Sequence, residues 1–240
     1  MFDLHCHILP GLDDGAQSLD DSLEMAAIAA HSGVKYIFAT PHCNTRSEQK
    51  NFRSEELIEA YKALQAELDE AEIPVKILSG AEILARGDFE AHLEADDFMT
   101  LNASRYLLIE FYFDESIDYM ERCLRAVEEA NMIPVIAHPE RYFCVQRSPE
   151  LAQLWAEHGR LLQLNKGSLL GELGEAAYLT GALLLRRGAV SVIASDAHHY
   201  LYRTPHMGPL LEVLDRRFPE VDPEALLWRI PMKIAKDQTL

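Results

Sequence analysis

The chain has 240 residues, 48% of them hydrophobic, which suits one large α/β domain better than two small ones and suffices for a sizeable core. A net charge of −17 disfavours a nucleic-acid backbone or an anionic membrane as the main partner. No apolar run is long enough to span a membrane and no basic start leads into an apolar stretch, so the expectation is no stable membrane insertion and a cytoplasmic setting.

Residues 1–8 alternate and predict a strand, with Phe2, Leu4, Cys6 and Ile8 on one face and Asp3, His5 and His7 on the other. Two imidazoles two residues apart on one face can grip a divalent cation, and Asp13 and Asp14 follow in a tight loop; Asp14 is the preferred ligand of the two. Ser18 and Asp20 offer caps for a helix over 19–32, which Gly33 stops. A strand over 34–40 ends in Pro41-His42, a polar loop covers 43–52, and a helix follows over 53–72. A strand over 74–82 ends in Glu82, and 83–104 is expected to hold a short helix or a hairpin. The strand over 105–111 carries Glu110 in an otherwise apolar run and leads to a helix over 115–131. The next strand, 133–138, ends in His138-Pro139-Glu140-Arg141. Helix 149–158, strand 161–165, helix 173–187 and strand 190–196 follow, the last running straight into Ala197-His198. Helices over 206–218 and 223–235 close the chain.

Seven short apolar strands alternating with helices predict a parallel α/β fold, and at this length a closed or nearly closed barrel rather than an open sheet. In such barrels the chemistry sits at the C-terminal strand ends. Six of the seven strands carry ligand-type residues there; the strand over 161–165 is the exception.

Five imidazoles (His5, His7, His42, His138, His198) and four carboxylates (Asp14, Glu82, Glu110, Asp196) are too many for one ion. With one bridging carboxylate they suit two or three ions, each keeping open positions. A thiolate-free N/O set fits manganese, iron or zinc. Three divalent ions outweigh four carboxylates, so such a site draws in a phosphate dianion. Arg141 and Arg203 leave strand ends on the same face, and their planar forks suit phosphate oxygens. Cysteine chemistry fails a direct check: a phosphate-cradling loop needs arginine six residues after its thiol, and those positions hold Leu12, Gln49, Glu129 and Glu150. No Cys-x-x-Cys spacing is present, and His31, His92 and His158 read as surface or packing residues.

The runs Asp3-Leu4-His5-Cys6-His7-Ile8-Leu9-Pro10-Gly11, Asp13-Asp14-Gly15, Thr40-Pro41-His42, Gly80-Ala81-Glu82, Ile109-Glu110, Ala137-His138-Pro139-Glu140-Arg141 and Ser195-Asp196-Ala197-His198 resemble the PHP (polymerase and histidinol phosphatase) superfamily. Within it they are most similar to the bacterial metal-dependent protein-tyrosine phosphatases of capsule and exopolysaccharide operons, the CpsB/YwqE type. The resemblance implies a single phosphatase domain over 1–240, built as a distorted seven-stranded (β/α) barrel holding three metals, usually manganese. It places one ion on His5, His7, Glu82 and Asp196, a second on Glu82, Glu110 and His138, and a third on Asp14, His42 and His198. By the same likeness Arg141 and Arg203 hold the phosphoryl group, and the partner is a tyrosine autokinase controlling polysaccharide export. A small phosphate ester such as histidinol phosphate is the alternative substrate, and a non-catalytic metal-stabilised binding module the alternative class.

Overall fold

The computed structural model describes residues 1–45 and 50–240, so part of the polar loop expected over 43–52 lies outside the described residues. Along the chain, β1 (Phe2–Cys6) leads to α1 (Leu19–His31), β2 (Tyr36–Ala39), β3 (His42–Cys43) and α2 (Glu55–Glu70). Then come β4 (Lys76–Ser79), β5 (Glu82–Leu84), α3 (Phe89–Glu94), a 3₁₀ turn (Leu101–Ala103), β6 (Tyr106–Glu110), α4 (Ile117–Glu129) and β7 (Ile133–Ala137). A second 3₁₀ turn (Pro139–Arg141) precedes α5 (Phe143–Arg147), α6 (Glu150–Glu157), β8 (Leu161–Asn165), α7 (Lys166–Leu170), α8 (Glu175–Arg186) and β9 (Val192–Ala194). The chain ends with α9 (Gly208–Arg217), a π-helical turn (Ala225–Arg229) and α10 (Ile230–Ala235). Ser18 caps α1 reciprocally, its hydroxyl accepting from Asp21 N–H and its own N–H donating to the Asp21 carboxylate.

All ladders are parallel, in a three-stranded sheet β1-β2-β4 and a six-stranded sheet β3-β5-β6-β7-β8-β9. The sequence reading expected seven strands; two of them are broken, which gives nine segments among the described residues. One break falls at Thr40-Pro41, where proline has no N–H to give a ladder. The other falls at Gly80-Ala81, where the chain passes so close to its neighbour that a Cβ on Gly80 would lie 2.9 Å from Leu101 Cδ2. Each break re-aims the next residues, His42 and Glu82, which sit side by side in the β3–β5 register. At the other edge, Asp196 N–H donates to the His5 carbonyl and His7 N–H to the Ala197 carbonyl, both at 2.9 Å. The short helices α5 and α7 are absent from the sequence reading, being too short for a periodic signal.

The alternation read for residues 1–8 also needs correction. From Asp3 to Cys6 the chain advances three residues while its partner advances two, Ile37 to Ala39, which is a bulge. Phe2 and Leu4 therefore join one apolar cluster, and Cys6 and Ile8 another. Asp3 leaves the face of the histidines, and its buried carboxylate accepts from the Ser195 N–H and hydroxyl. The cluster holding Phe2 and Leu4 fills the interior between the strands and contains Phe38, Leu108, Val135 and Val192; Trp228, Ile230, Met232 and Ile234 from the chain's end pack into it.

Candidate active site

The bulge, the two strand breaks and the strand ends converge on one polar cluster. His5 and His7 are fully buried. His5 Nδ1–H donates to Gln163 Oε1 at 2.9 Å, and His7 Nδ1–H donates to Asp13 Oδ2 at 2.7 Å. These partners set the tautomers and turn both Nε2 lone pairs toward the same point. The two Nε2 atoms are 3.1 Å apart, and each lies within 3.2–3.5 Å of Glu82 Oε2 and Asp196 Oδ1. Two donors bound about 2.1 Å from a common ion would stand roughly 3.0–3.4 Å apart, so the spacing is that of a shared cation. Gly15 packs against His7 so closely that a Cβ there would lie 2.1 Å from the His7 carbonyl oxygen, which keeps the Asp13–Asp14 turn tight.

Two further groups adjoin the first. His42 Nε2 and His198 Nε2 approach Asp14 Oδ1 at 3.4 and 3.5 Å. His138 Nε2 lies 2.9 Å from Glu82 Oε1 and 3.5 Å from Glu110 Oε1, while His42 Nδ1 lies 3.0 Å from Glu82 Oε2 and 3.8 Å from Glu110 Oε2. All nine side chains singled out in the sequence thus meet in one place. Asp14 rather than Asp13 enters the cluster: Asp13 is spent behind it, accepting from His7 and from the N–H groups of His42 and Gly15.

The buried groups of this cluster shift one another's ionisation. Burial opposes ionisation of Glu82, but His5 and His42 beside it hold its carboxyl well below the usual range. Burial and the charge of Glu82 push Glu110 up to about 8. Burial opposes charging of His7, yet Asp13 holds its imidazole well above its ordinary value. Burial and the neighbouring His7 push His198 down to about 2. Carboxylates that draw positive charge in, with His198 kept neutral beside them, have the chemistry of a metal site. Among the described residues His42 Nδ1, which faces Glu82 and Glu110, is buried without a hydrogen bond, as a donor atom awaiting a ligand would be.

Above the cluster opens a cavity of about 120 Å³ lined by Asp14, His42, Glu110, Phe113, Arg141 and Arg203, among others. Arg203 contacts Asp196 Oδ2 at 2.7 Å and Arg141 reaches the same oxygen at 3.6 Å. The Arg141 guanidinium also lies over the Phe113 ring, 4.4 Å from its centre. His138, Asp196 and Arg203 all hold left-handed backbone conformations, with φ of 33°, 50° and 48°. Such strain persists where the surrounding structure fixes it, and here it falls on three residues of one site. The four cysteines are buried and free, none lines the cavity, and burial pushes the Cys43 thiol up to about 12.

β8, the strand without a ligand-type residue, and the segments packed beside it supply the supports. Gln163 holds His5 and donates to Asn165 Oδ1 at 2.9 Å. Asn165 Nδ2 donates to Asp196 Oδ2 at 2.6 Å, and buried Lys166 donates to the carbonyls of Thr204 and His206, just past Arg203. Glu140 accepts from Asn165 N–H and the Ser168 hydroxyl. Sequence reasoning missed all of these; the available signal was polar Gln163 and Asn165 in an otherwise apolar strand.

The fold and this donor set define an α/β protein with a metal-type centre at the C-terminal ends of parallel strands. Residues 1–236 match the family described as capsular polysaccharide synthesis, CpsB/CapC, and the chain belongs to it. It is 38% identical over 221 residues to the tyrosine-protein phosphatase YwqE of Bacillus subtilis, covering 91% of this chain and 85% of that one. It is 29% identical over 245 residues to the tyrosine-protein phosphatase CpsB of Streptococcus pneumoniae, covering 100% of both. One of the crystal structures of YwqE and CpsB, described as unique metal-dependent tyrosine phosphatases, matches with a TM-score of 0.91 at 35% identity, covering 100% of this chain and 96% of the other. Molinate hydrolase matches with a TM-score of 0.53 at 10% identity, over 98% of this chain and 73% of that one, a likeness of fold alone. Among the described residues, no helix is long and apolar enough to cross a membrane.

Proposed function

We propose that this protein is a metal-dependent protein-tyrosine phosphatase that removes phosphate from a tyrosine autokinase regulating capsular or exopolysaccharide synthesis. The observation that carries the reading is the convergence of His5 Nε2, His7 Nε2, Glu82 Oε2 and Asp196 Oδ1 beneath a cavity walled by two arginines. The names of the relatives supply the substrate class. We further infer one domain over residues 1–240 in the cytoplasm, its two sheets acting together as a distorted seven-stranded barrel.

In this reading three divalent ions, manganese with iron or zinc as substitutes, would occupy the cluster. His5, His7, Glu82 and Asp196 hold one, Glu82, Glu110 and His138 a second, and Asp14, His42 and His198 a third. When bound they supply Lewis acidity and an activated water. Arg141 and Arg203 converge on one Asp196 oxygen, so an entering phosphoryl dianion meets both guanidinium groups and exchanges with that carboxylate for their N–H donors. Fixed there, they stabilise charge that builds on the equatorial oxygens. Phe113 stacks on Arg141 and limits its rotation, and also forms the apolar wall against which the phenyl ring of the substrate would rest. A tyrosine phenolate, from a phenol with pKa about 10, leaves readily enough that no dedicated side-chain acid is required.

The test is the specificity constant on a phosphotyrosyl peptide, the matching phosphoseryl peptide and histidinol phosphate, using manganese-loaded protein. The expected order puts the phosphotyrosyl peptide first by at least about tenfold, which is roughly 1.4 kcal/mol of differential transition-state binding. A preference for histidinol phosphate would replace the protein substrate with a small ester at the same site.

A further inference from the structure

Between the cluster residue His198 and the cavity residue Arg203 the chain makes an excursion of four residues. His198 N–H donates to the Arg203 carbonyl at 3.0 Å, closing the base of this excursion. Both residues at the base line the cavity, so the finger formed by residues 199–202 stands at its rim. The finger is ordered by its own rings. His199 lies flat against Tyr202, with centroids 4.2 Å apart and planes 7° from parallel, and stacks on Tyr200 at 4.3 Å. Leu201 N–H donates to His199 Nδ1 at 3.0 Å.

At the tip, Leu201 is 73% exposed and Tyr202 65%, the highest values among the exposed large hydrophobic residues described. An isolated exposed leucine needs no explanation. Here two adjacent side chains are held out into water by a stacked, hydrogen-bonded support, and that support is rooted at both ends in the phosphate-sized cavity. Beside Arg141, Phe113 lines the wall and Phe143, 47% exposed, donates its N–H to the Phe113 carbonyl at 2.8 Å. The mouth therefore has apolar groups on both the Arg203 and the Arg141 sides.

We propose that Leu201 and Tyr202 are a docking finger for the peptide chain that carries the phosphotyrosine, taking an apolar side chain one or two residues from it. This rests on the tyrosine-phosphatase reading above and adds what that reading lacks, a surface that tells one phosphotyrosyl sequence from another. Successive residues of an extended peptide advance about 3.3–3.6 Å each, so a neighbour of the phosphotyrosine emerges at the rim when the phosphoryl group lies between the arginines. Two pre-ordered side chains add affinity with little further loss of conformational freedom.

The experiment compares the protein as it stands with the double variant Leu201→Ser/Tyr202→Ser, both manganese-loaded. Three substrates are used: a phosphotyrosyl peptide with leucine or valine flanking the phosphotyrosine, the same peptide with glycine there, and p-nitrophenyl phosphate. The expected result is a loss of about tenfold in kcat/KM on the apolar peptide, carried by KM, the scale of removing a contact hot spot. Turnover of p-nitrophenyl phosphate stays within twofold, and the preference for the apolar over the glycine peptide disappears. An equal loss on all three substrates would overturn the proposal, since it would make the finger a mere support for Arg203, and so would an unchanged apolar-peptide KM. If the unaltered protein hydrolyses p-nitrophenyl phosphate but neither peptide, the protein-tyrosine-phosphatase reading itself falls and takes the finger with it. That outcome is distinct from active peptide turnover that ignores the flanking residues.

Discussion

The two ends of the same strands are built for opposite tasks. At their N-terminal ends the strands begin with Phe2, Tyr36, Tyr106, Ile133, Leu161 and Val192, all packed in one apolar cluster under Trp228 and α10. A few residues further on, β1, β6, β7 and β9 release His5, Glu110, His138 and Asp196 into a cluster of lone pairs and charges, which His42 and Glu82 join from the segments after the two breaks. One end lowers free energy by removing apolar surface from water. The other end raises it, by taking carboxylates and imidazoles out of water. The stability of the first end is what permits the second, and damage to either should have its own signature.

The largest effect is expected at the polar end. Stripping metal with a chelator should abolish turnover of a phosphotyrosyl peptide, and manganese should restore it best, because the mixed imidazole and carboxylate set contains no thiolate to favour a softer ion. Full turnover by a metal-free sample, verified by elemental analysis, would end the metal-dependent reading.

Next come the arginines. Arg141→Ala and Arg203→Ala should each cost on the order of 10²-fold in turnover, the scale of losing one charge-stabilising donor. Lysine should rescue only in part, because it keeps the charge without the planar fork. Metal content should hold in both variants: when Arg203 leaves Asp196 Oδ2, Asn165 Nδ2 still holds that oxygen at 2.6 Å. Lost metal would recast the arginines as supports of the ligand shell.

The contrast between the ends also accounts for what the sequence disclosed. Glu110 stands out because an acid closing an apolar strand demands a partner, and His42, His138 and Asp196 stand out because they end strands with the same polarity of direction. Those are local signals, readable one strand at a time. The bulge before Cys6 is not local: it is defined by the register against β2, and no residue in 1–8 announces it. Gln163 and Asn165 were visible as polar residues in a strand, but their partners His5 and Asp196 lie far away in the chain. Residues 211–240 carried no motif because their task is packing: Leu214, Phe218 and Leu227 join one apolar cluster, while Trp228, Ile230 and Ile234 cover the strand starts and look like the apolar face of any helix.

A smaller effect should follow from Gln163→Leu. This change leaves every proposed ligand in place but removes the acceptor of His5 Nδ1–H. Losing such an orienting partner typically weakens metal binding about 10–100-fold. A chelator competition titration reads this directly, and an unchanged affinity would show that packing alone orients His5. Turnover at saturating manganese should recover most of its normal value.

The smallest effect on catalysis, paired with a large effect on stability, is expected at the apolar end. Ile234 on α10 is fully buried in the cluster that holds Phe2, Tyr106 and Leu161. Ile234→Ala removes that packing and leaves a cavity, at a cost of about 2–5 kcal/mol. Its surroundings cannot close in easily, because the neighbouring ends are already tied: Arg105 pairs with Asp237 through Nε at 2.9 Å and NH2 at 3.2 Å, and Tyr106 Oη donates to the Gln238 carbonyl at 2.7 Å. From Phe2 to His5 and His7 a strand rising about 3.3 Å per residue covers roughly 10–17 Å, so the catalytic geometry lies beyond the relaxation. Thermal unfolding should therefore shift down by several degrees, while kcat and metal content at a temperature well below the transition stay within twofold. If turnover fell together with stability, the ends would be coupled through the strands, and the division of labour between them would have to be abandoned.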